Sequence, residues 1–169
     1  LLELWESGAI TKYIVIAKRD VKSFEVDSVV FFEKWKTYIE DKFDSNGNVI
    51  YRKSNMNFYL RSKYYREKFG YYPSNISNID KHHQFPGSGG DDSVIIAYDC
   101  LLDAKDNWEK LIFYAMLHIG DTDTTGCIAG AWYGALYGFK NIPQNMLKYL
   151  EYKYELEDIG KKLYDKFNQ

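Results

Sequence analysis

No stretch of this chain is basic enough to follow a phosphate backbone, because 22 lysines and arginines are scattered among 24 aspartates and glutamates for a formal net charge of -2. Without a positive stripe, nucleic acid is not an expected partner. Cysteine is just as scarce. Cys100 and Cys127 match no zinc-ligand spacing and fall on apolar, helix-like runs, which predicts reduced, buried thiols and an intracellular, cytoplasmic setting. Apolar runs are short: residues 13–17 and 125–139 both fall below the roughly 20 residues that a bilayer requires, so no membrane partner is expected. Extended patterns are almost missing as well. Only residues 14–16 and Val49-Ile50-Tyr51 read as strand, and neither builds a sheet. No repeat, low-complexity tract or linker divides the chain.

What is present is apolar material at helical spacing. The 169 residues are 46% hydrophobic and 18% aromatic, ample for one buried core. Phe31, Phe32, Trp35, Tyr38, Ile39 and Phe43 recur every three or four positions, predicting a helix from about Ser28 with Asp27 or Ser28 as its cap. Phe58, Leu60, Tyr64, Tyr65 and Phe69 predict a second, ending at Gly70. The pattern then stops until Gly90, a loop of unusual length that points to function. Two further helices follow, one carrying Val94, Ile95, Tyr98, Leu101 and Leu102, the other Trp108, Leu111, Ile112, Ala115 and Ile119, and they are expected to bracket residues 103–106. Gly126, Gly130, Gly134 and Gly138 line one face of an uncharged helix. Four interior glycines cost about 3 to 4 kcal/mol against alanine, which predicts a buried central helix with another backbone pressed against it. Pro143 suits the first turn of the next helix, and Leu156, Ile159, Leu163 and Phe167 mark a last amphipathic one. The predicted fold class is all-α.

Between two of these apolar segments lies His118-Ile119-Gly120-Asp121-Thr122-Asp123-Thr124-Thr125-Gly126, with two carboxylates and three hydroxyls in five residues. Unpaired charges beside a core cost several kcal/mol, roughly, unless a cation or hydrogen bonds compensate them. A hard metal held by oxygen ligands answers that cost at a bundle end, and an acidic helix cap is the plainer alternative. Asp121, Asp123, Thr125 and Gly126 match the first, third, fifth and sixth positions of a calcium loop, but the twelfth needs a bidentate glutamate and holds Trp132. An Asp-x-Asp-x-Thr phosphatase of the haloacid dehalogenase type needs a preceding strand in a doubly wound sheet, where this chain has a helical pattern.

His-x-Gly-Asp-x-Asp-Thr followed by an Ala/Gly-rich helix resembles the carboxy-terminal metal motif of the ADP-ribosylglycohydrolases, with the arginine-specific branch the nearest match. The run Gly87-Ser88-Gly89-Gly90-Asp91-Asp92-Ser93 and the helix after it resemble that family's glycine-serine loop, and the ending from Tyr133 resembles its tail. The similarity covers the chain from about Ser28 onward. It implies an orthogonal multi-helix bundle of that type, with residues 1–169 forming the carboxy-terminal part of a single domain whose upstream metal-binding half is absent. The start at Leu1, reading as the tail of a helix, fits that expectation.

The resemblance also implies magnesium-dependent hydrolysis of the N-glycosidic bond between ADP-ribose and arginine in modified proteins, with two Mg2+ ions in the complete site. Asp121, Asp123 and Thr124 would be metal ligands. Gly87, Ser88, Gly89, Gly90, Asp91, Asp92 and Tyr98 would border the ADP-ribose, with the amides of Gly89 and Gly90 approaching its oxygens and Tyr71, Tyr72, Phe85 or Tyr98 stacking on adenine. Without the resemblance, the glycine run reads as a turn ended by an Asp91 or Asp92 helix cap, and His82 and His83 as solvated loop residues. The implied partners are an ADP-ribosylated protein or ADP-ribose, and the missing amino-terminal half in cis or in trans, which would carry the general base. The alternative is a non-catalytic ADP-ribose- or metal-binding regulatory module. Two positions depart from the family: Ile119 stands where a glycine is usual, and Asp91 where histidine is expected. No Thr/Ser-Asp-Asp-Thr motif precedes Asp27. Asp91-Asp92-Ser93 imitates it superficially.

Overall fold

Apolar residues at three- and four-residue spacing fold as helices within residues 25–50, 57–69 and 86–168, which the computed structural model describes. In chain order these are α1 Glu25–Lys42, α2 Phe58–Lys68, α3 Asp92–Ala104, α4 Trp108–Met116, α5 Thr122–Tyr137, α6 Gln144–Lys148 and α7 Lys153–Phe167. The only extended pairing among the described residues is an isolated antiparallel bridge between Phe43 and Val49. The chain is all-α. No helix among the described residues is long and apolar enough to cross a membrane. The expectations placed on residues 14–16, Tyr51, Tyr71, Tyr72, His82, His83 and Phe85 lie outside the described residues.

Local chemistry sets the helix ends. Asn57 caps α2 by accepting from the Leu60 N–H at 3.1 Å, and Asn107 caps α4 by accepting from the Lys110 N–H at 2.9 Å. α5 stops where Gly138 takes a φ of +59° that few side chains tolerate. α1 begins at Glu25, three residues before the apolar pattern predicted.

Cross-helix contacts give the directions. Lys34 meets Asp91, Tyr38 meets Asp99 and Lys42 meets Asp103, so α1 and α3 advance together in the same sense. α3 and α5 also run alike, touching at Gly87 and Thr125 near their starts and again where the Tyr98 ring stands edge-on to Trp132 at 6.5 Å. α4 runs opposite to α5: its first residue, Trp108, meets the Tyr133 ring edge to face at 5.0 Å, while the Ala115 carbonyl near its end accepts from Thr125. Tyr38, Tyr65, Tyr133, Phe69, Ile95, Ile96 and Leu111 are fully buried where these helices meet. Each such apolar side chain contributes roughly 1.5 to 3 kcal/mol by leaving water.

Three expectations need correction. The glycine helix α5 is not enclosed. A Cβ at Gly126 would run into the Met116 side chain at 2.7 Å, but at Gly130 and Gly134 it would meet nothing among the described residues within 4 Å, and Gly138 is the terminator. Only Thr125, Ala129 and Tyr133 of this helix are buried. Small residues permit close approach without compelling it. Cys127, on the same helix, is exposed, whereas Cys100 is buried and its thiol is pushed up to about 12, chiefly by burial. Asp103 does not lie between helices, because α3 runs on to Ala104.

Candidate metal and ligand site

Asp121 is the N-cap of α5, and its carboxylate accepts from the Thr124 N–H at 3.3 Å. Asp123, exposed on the first turn, accepts from the same N–H at 2.9 Å. One amide thus gathers both carboxylates to one point. The Asp123 carboxyl is held below its ordinary value, first by hydrogen bonding with the Asp121 side chain and then by that amide. Two carboxylates, with the Thr124 hydroxyl beside them in sequence, form the hard oxygen donor set that suits magnesium. Among the described residues no three His, Cys, Asp or Glu side chains gather into a metal-holding group.

The glycine loop is brought against this turn. The Asp121 N–H donates to the Pro86 carbonyl at 3.0 Å. Gly87 has a φ of +95°, and a Cβ there would lie 2.9 Å from Thr125 Cγ2 and 3.0 Å from the Asp121 carbonyl oxygen. Only glycine satisfies both the conformation and the approach. Gly120 faces the same constraint from the other side, since its Cβ would collide with the Pro86 oxygen. Gly120→Ala is therefore expected to push the two segments apart and to destabilise the fold by about 1 to 3 kcal/mol, read as a lower urea midpoint with an unchanged slope.

Within the loop the expected ligand donors are partly committed. Asp92 is buried and accepts from the Gly87 N–H at 2.8 Å and the Gly89 N–H at 2.9 Å, so it holds the loop in shape. The Gly89 amide is therefore engaged internally. Burial raises the Asp92 carboxyl, and those two amides pull it back. Asp91 forms an ion pair with Lys34 at 2.5 Å. With both side chains engaged in this way, the likeness of Asp91-Asp92-Ser93 to a metal motif has a structural explanation. Ser88 and Gly90 form the exposed rim. Tyr98 lies farther along α3, half-buried among the rings of Trp35, Tyr38 and Trp132, and is not brought to the loop.

Beneath the turn lies a support that the sequence did not announce. The Thr125 hydroxyl is buried and lies 2.8 Å from the Ala115 carbonyl and 3.0 Å from that of Asp121, while His118 Nε2 approaches it at 2.8 Å. If the hydroxyl donates to a carbonyl, His118 must donate from Nε2, which leaves Nδ1 as a buried acceptor with no partner among the described residues. Ser62 of α2 accepts from the Ile119 N–H at 3.3 Å. His118 is 5% exposed, and burial, followed by the Arg61 charge, lowers its imidazole to about 4. The unfolded chain then takes up a proton near pH 6.5 that the folded chain refuses until about 4. Stability is complete above pH 6.5 and falls as the pH drops toward 4, by on the order of 2 to 3 kcal/mol. His118→Gln should flatten that segment of a denaturation-against-pH profile.

Comparisons with known proteins identify the family. The sequence pattern described as ADP-ribosylglycohydrolase matches residues 23–169. ADP-ribosylhydrolase ARH1 of Dictyostelium discoideum is 34% identical over 157 residues, covering 87% of this chain and 38% of its own length. A protein of Acanthamoeba polyphaga mimivirus named as an ADP-ribosyl glycohydrolase, L444, is 34% identical over 163 residues, covering 94% of this chain and 30% of its own. ADP-ribosylhydrolase ARH3 of Danio rerio is 42% identical over 57 residues, 34% of this chain and 15% of its own length. The chain thus spans about a third of the length of the first two relatives, and the match to the third covers less. With the pattern running through the loop, the acidic turn and every described helix, the chain belongs to the ADP-ribosylglycohydrolase family.

Proposed function

We propose that this chain supplies the carboxy-terminal part of a magnesium-dependent hydrolase that cleaves the N-glycosidic bond between ADP-ribose and arginine in modified proteins. The observation that carries the reading is the packing of Gly87 against Asp121 and Thr125, which joins the loop and the acidic turn into one rim. In this reading Asp121, Asp123 and the Thr124 hydroxyl hold magnesium from one side, and the remaining ligands come from the amino-terminal part of the domain. Bound there, magnesium would polarise ribose oxygens and an attacking water. The chain's own residues position. Asp92 fixes the loop, and His118 with Thr125 fixes the carboxylate turn; Ser88, Gly90 and Asp91 line the edge that the ADP-ribose would follow.

The test incubates the chain, alone and with the amino-terminal portion of a longer relative, with ADP-ribosylated arginine and serine substrates under magnesium. The expected outcome is release of ADP-ribose from arginine only when both portions and the metal are present. Release that survives chelation, or failure to bind ADP-ribose in either state, overturns the reading. One observation favours a second reading, a non-catalytic ADP-ribose- or metal-binding regulatory module: among the described residues only two carboxylates converge. Binding of ADP-ribose without turnover in the presence of the amino-terminal portion would decide for it.

A further inference from the structure

Among the described residues, α7 is a long helix whose apolar side is uncovered. Leu156, Ile159 and Leu163 recur along it at the spacing of a coiled-coil seam, yet they are 55%, 53% and 52% exposed, and none of the helix's residues is buried. It makes no extensive packing on another described helix. A helix of 15 residues has little stability of its own in water. Its stripe therefore calls for a partner.

The charges beside the stripe indicate which partner. Among residues 153–159 stand Lys153, Glu155, Glu157 and Asp158, one cation against three anions; among residues 160–167 stand Lys161, Lys162, Asp165 and Lys166, three cations against one anion. The helix is negative in its first half and positive in its second, so it complements itself when reversed. The two helix macrodipoles also favour that orientation. With Leu156 and Leu163 as one seam position and Ile159 as the other, Glu155 and Lys162 flank the seam on the same side, where an antiparallel pair sets them opposite each other twice by symmetry. Lys162 already lies 2.5 Å from Asp158 on a well-exposed surface, where exchange of partners costs little. Gly160, at the middle of the stripe, has nothing among the described residues within 4 Å of where its Cβ would be, which allows two helices to cross closely.

We propose that α7 is the contact face of an antiparallel pair formed by two copies of this chain, apolar stripe on apolar stripe, with Glu155 of each copy beside Lys162 of the other. Single short helices give a small interface, so association falls in the micromolar range, roughly. The proposal is independent of what the acidic turn binds.

Sedimentation equilibrium of the full chain, over roughly 1 to 200 µM at low salt, tests it. The unaltered chain is expected to dimerise with concentration, and Leu163→Asp to stay monomeric while circular dichroism shows the fold intact. Glu155→Lys alone and Lys162→Glu alone each set like charges opposite one another and should weaken the dimer about fivefold or more, and the double exchange should restore it. A chain monomeric throughout, a dimer indifferent to the single exchanges, or a double exchange that fails to restore would each overturn the proposal. So would a complex with the amino-terminal portion of a longer relative that Leu163→Asp abolishes, formed by a chain that is monomeric alone.

Discussion

Under the proposed function, replacing Asp121 and Asp123 together by asparagine is expected to eliminate magnesium binding by this chain and to lower magnesium-dependent release of ADP-ribose from arginine by at least about a hundredfold. The double variant keeps the size and hydrogen-bonding reach of both side chains, and an asparagine at 121 still caps α5. It removes only the negative charge that a hard cation requires. Titration calorimetry of the chain reads the metal, and the complemented assay reads the turnover. Stability should change little or rise slightly, because two like charges that share the Thr124 N–H no longer repel each other. Unchanged magnesium affinity in the double variant would reduce the acidic turn to a helix cap.

The largest effect on stability is expected from Arg61→Met. Arg61 is buried and binds Asp99 at 2.6 Å and Asp103 at 2.5 Å, and its guanidinium lies 4.1 Å from the centre of the Tyr114 ring. Lys42 holds the other oxygens of the same two carboxylates at 2.6 and 2.7 Å, and the Tyr38 and Tyr65 hydroxyls donate to Asp99. Two cations thus balance two anions inside the protein. Methionine preserves much of the volume but leaves a buried negative charge uncompensated, a loss of about 3 to 5 kcal/mol. For a chain of this size that lowers Tm by on the order of 10 °C.

The pH dependence has a definite sign. Burial works to raise the Asp99 carboxyl, but Arg61 and Lys42 outweigh it and hold it below its ordinary value. The stability that Asp99 contributes is therefore complete above the unfolded carboxylate range near 4, roughly, and is lost as the pH falls through the lower folded value. Arg61→Met should reduce that acid-side dependence, which thermal melts at pH 7 and pH 3 would read together.

The acidic turn and the glycine loop were legible from residue type alone, because charge beside an apolar segment and φ-permissive glycines leave few physical options. Their juxtaposition was not, since Gly87 meets Thr125 across 38 positions of chain. The Lys42, Arg61, Asp99 and Asp103 cluster went unread for a local reason: Asp103 follows two leucines and precedes Ala-Lys-Asp-Asn, which looks like the start of a turn. Asp99 and Asp103 at helical spacing on a mostly apolar helix were the available signal. The glycine stripe misled in the opposite direction, because periodicity shows which residues share a face but not whether anything lies against it. Cys127 fell to the same error.

The directions of the helices also bear on the order in which the chain assembles. α3, α4 and α5 are joined by short connections and lie against their neighbours in sequence, whereas Tyr38 reaches Asp99 across 61 residues. Loop closure favours contacts between near neighbours, so these three helices are expected to form the early nucleus, with α1 and α2 condensing onto it as Lys42 and Arg61 neutralise the waiting carboxylates. Pulse-labelled hydrogen exchange would show protection in α3 to α5 first; simultaneous protection of α1 would contradict that order. On this pathway the carboxylate turn and the glycine loop meet before the charges behind them are balanced.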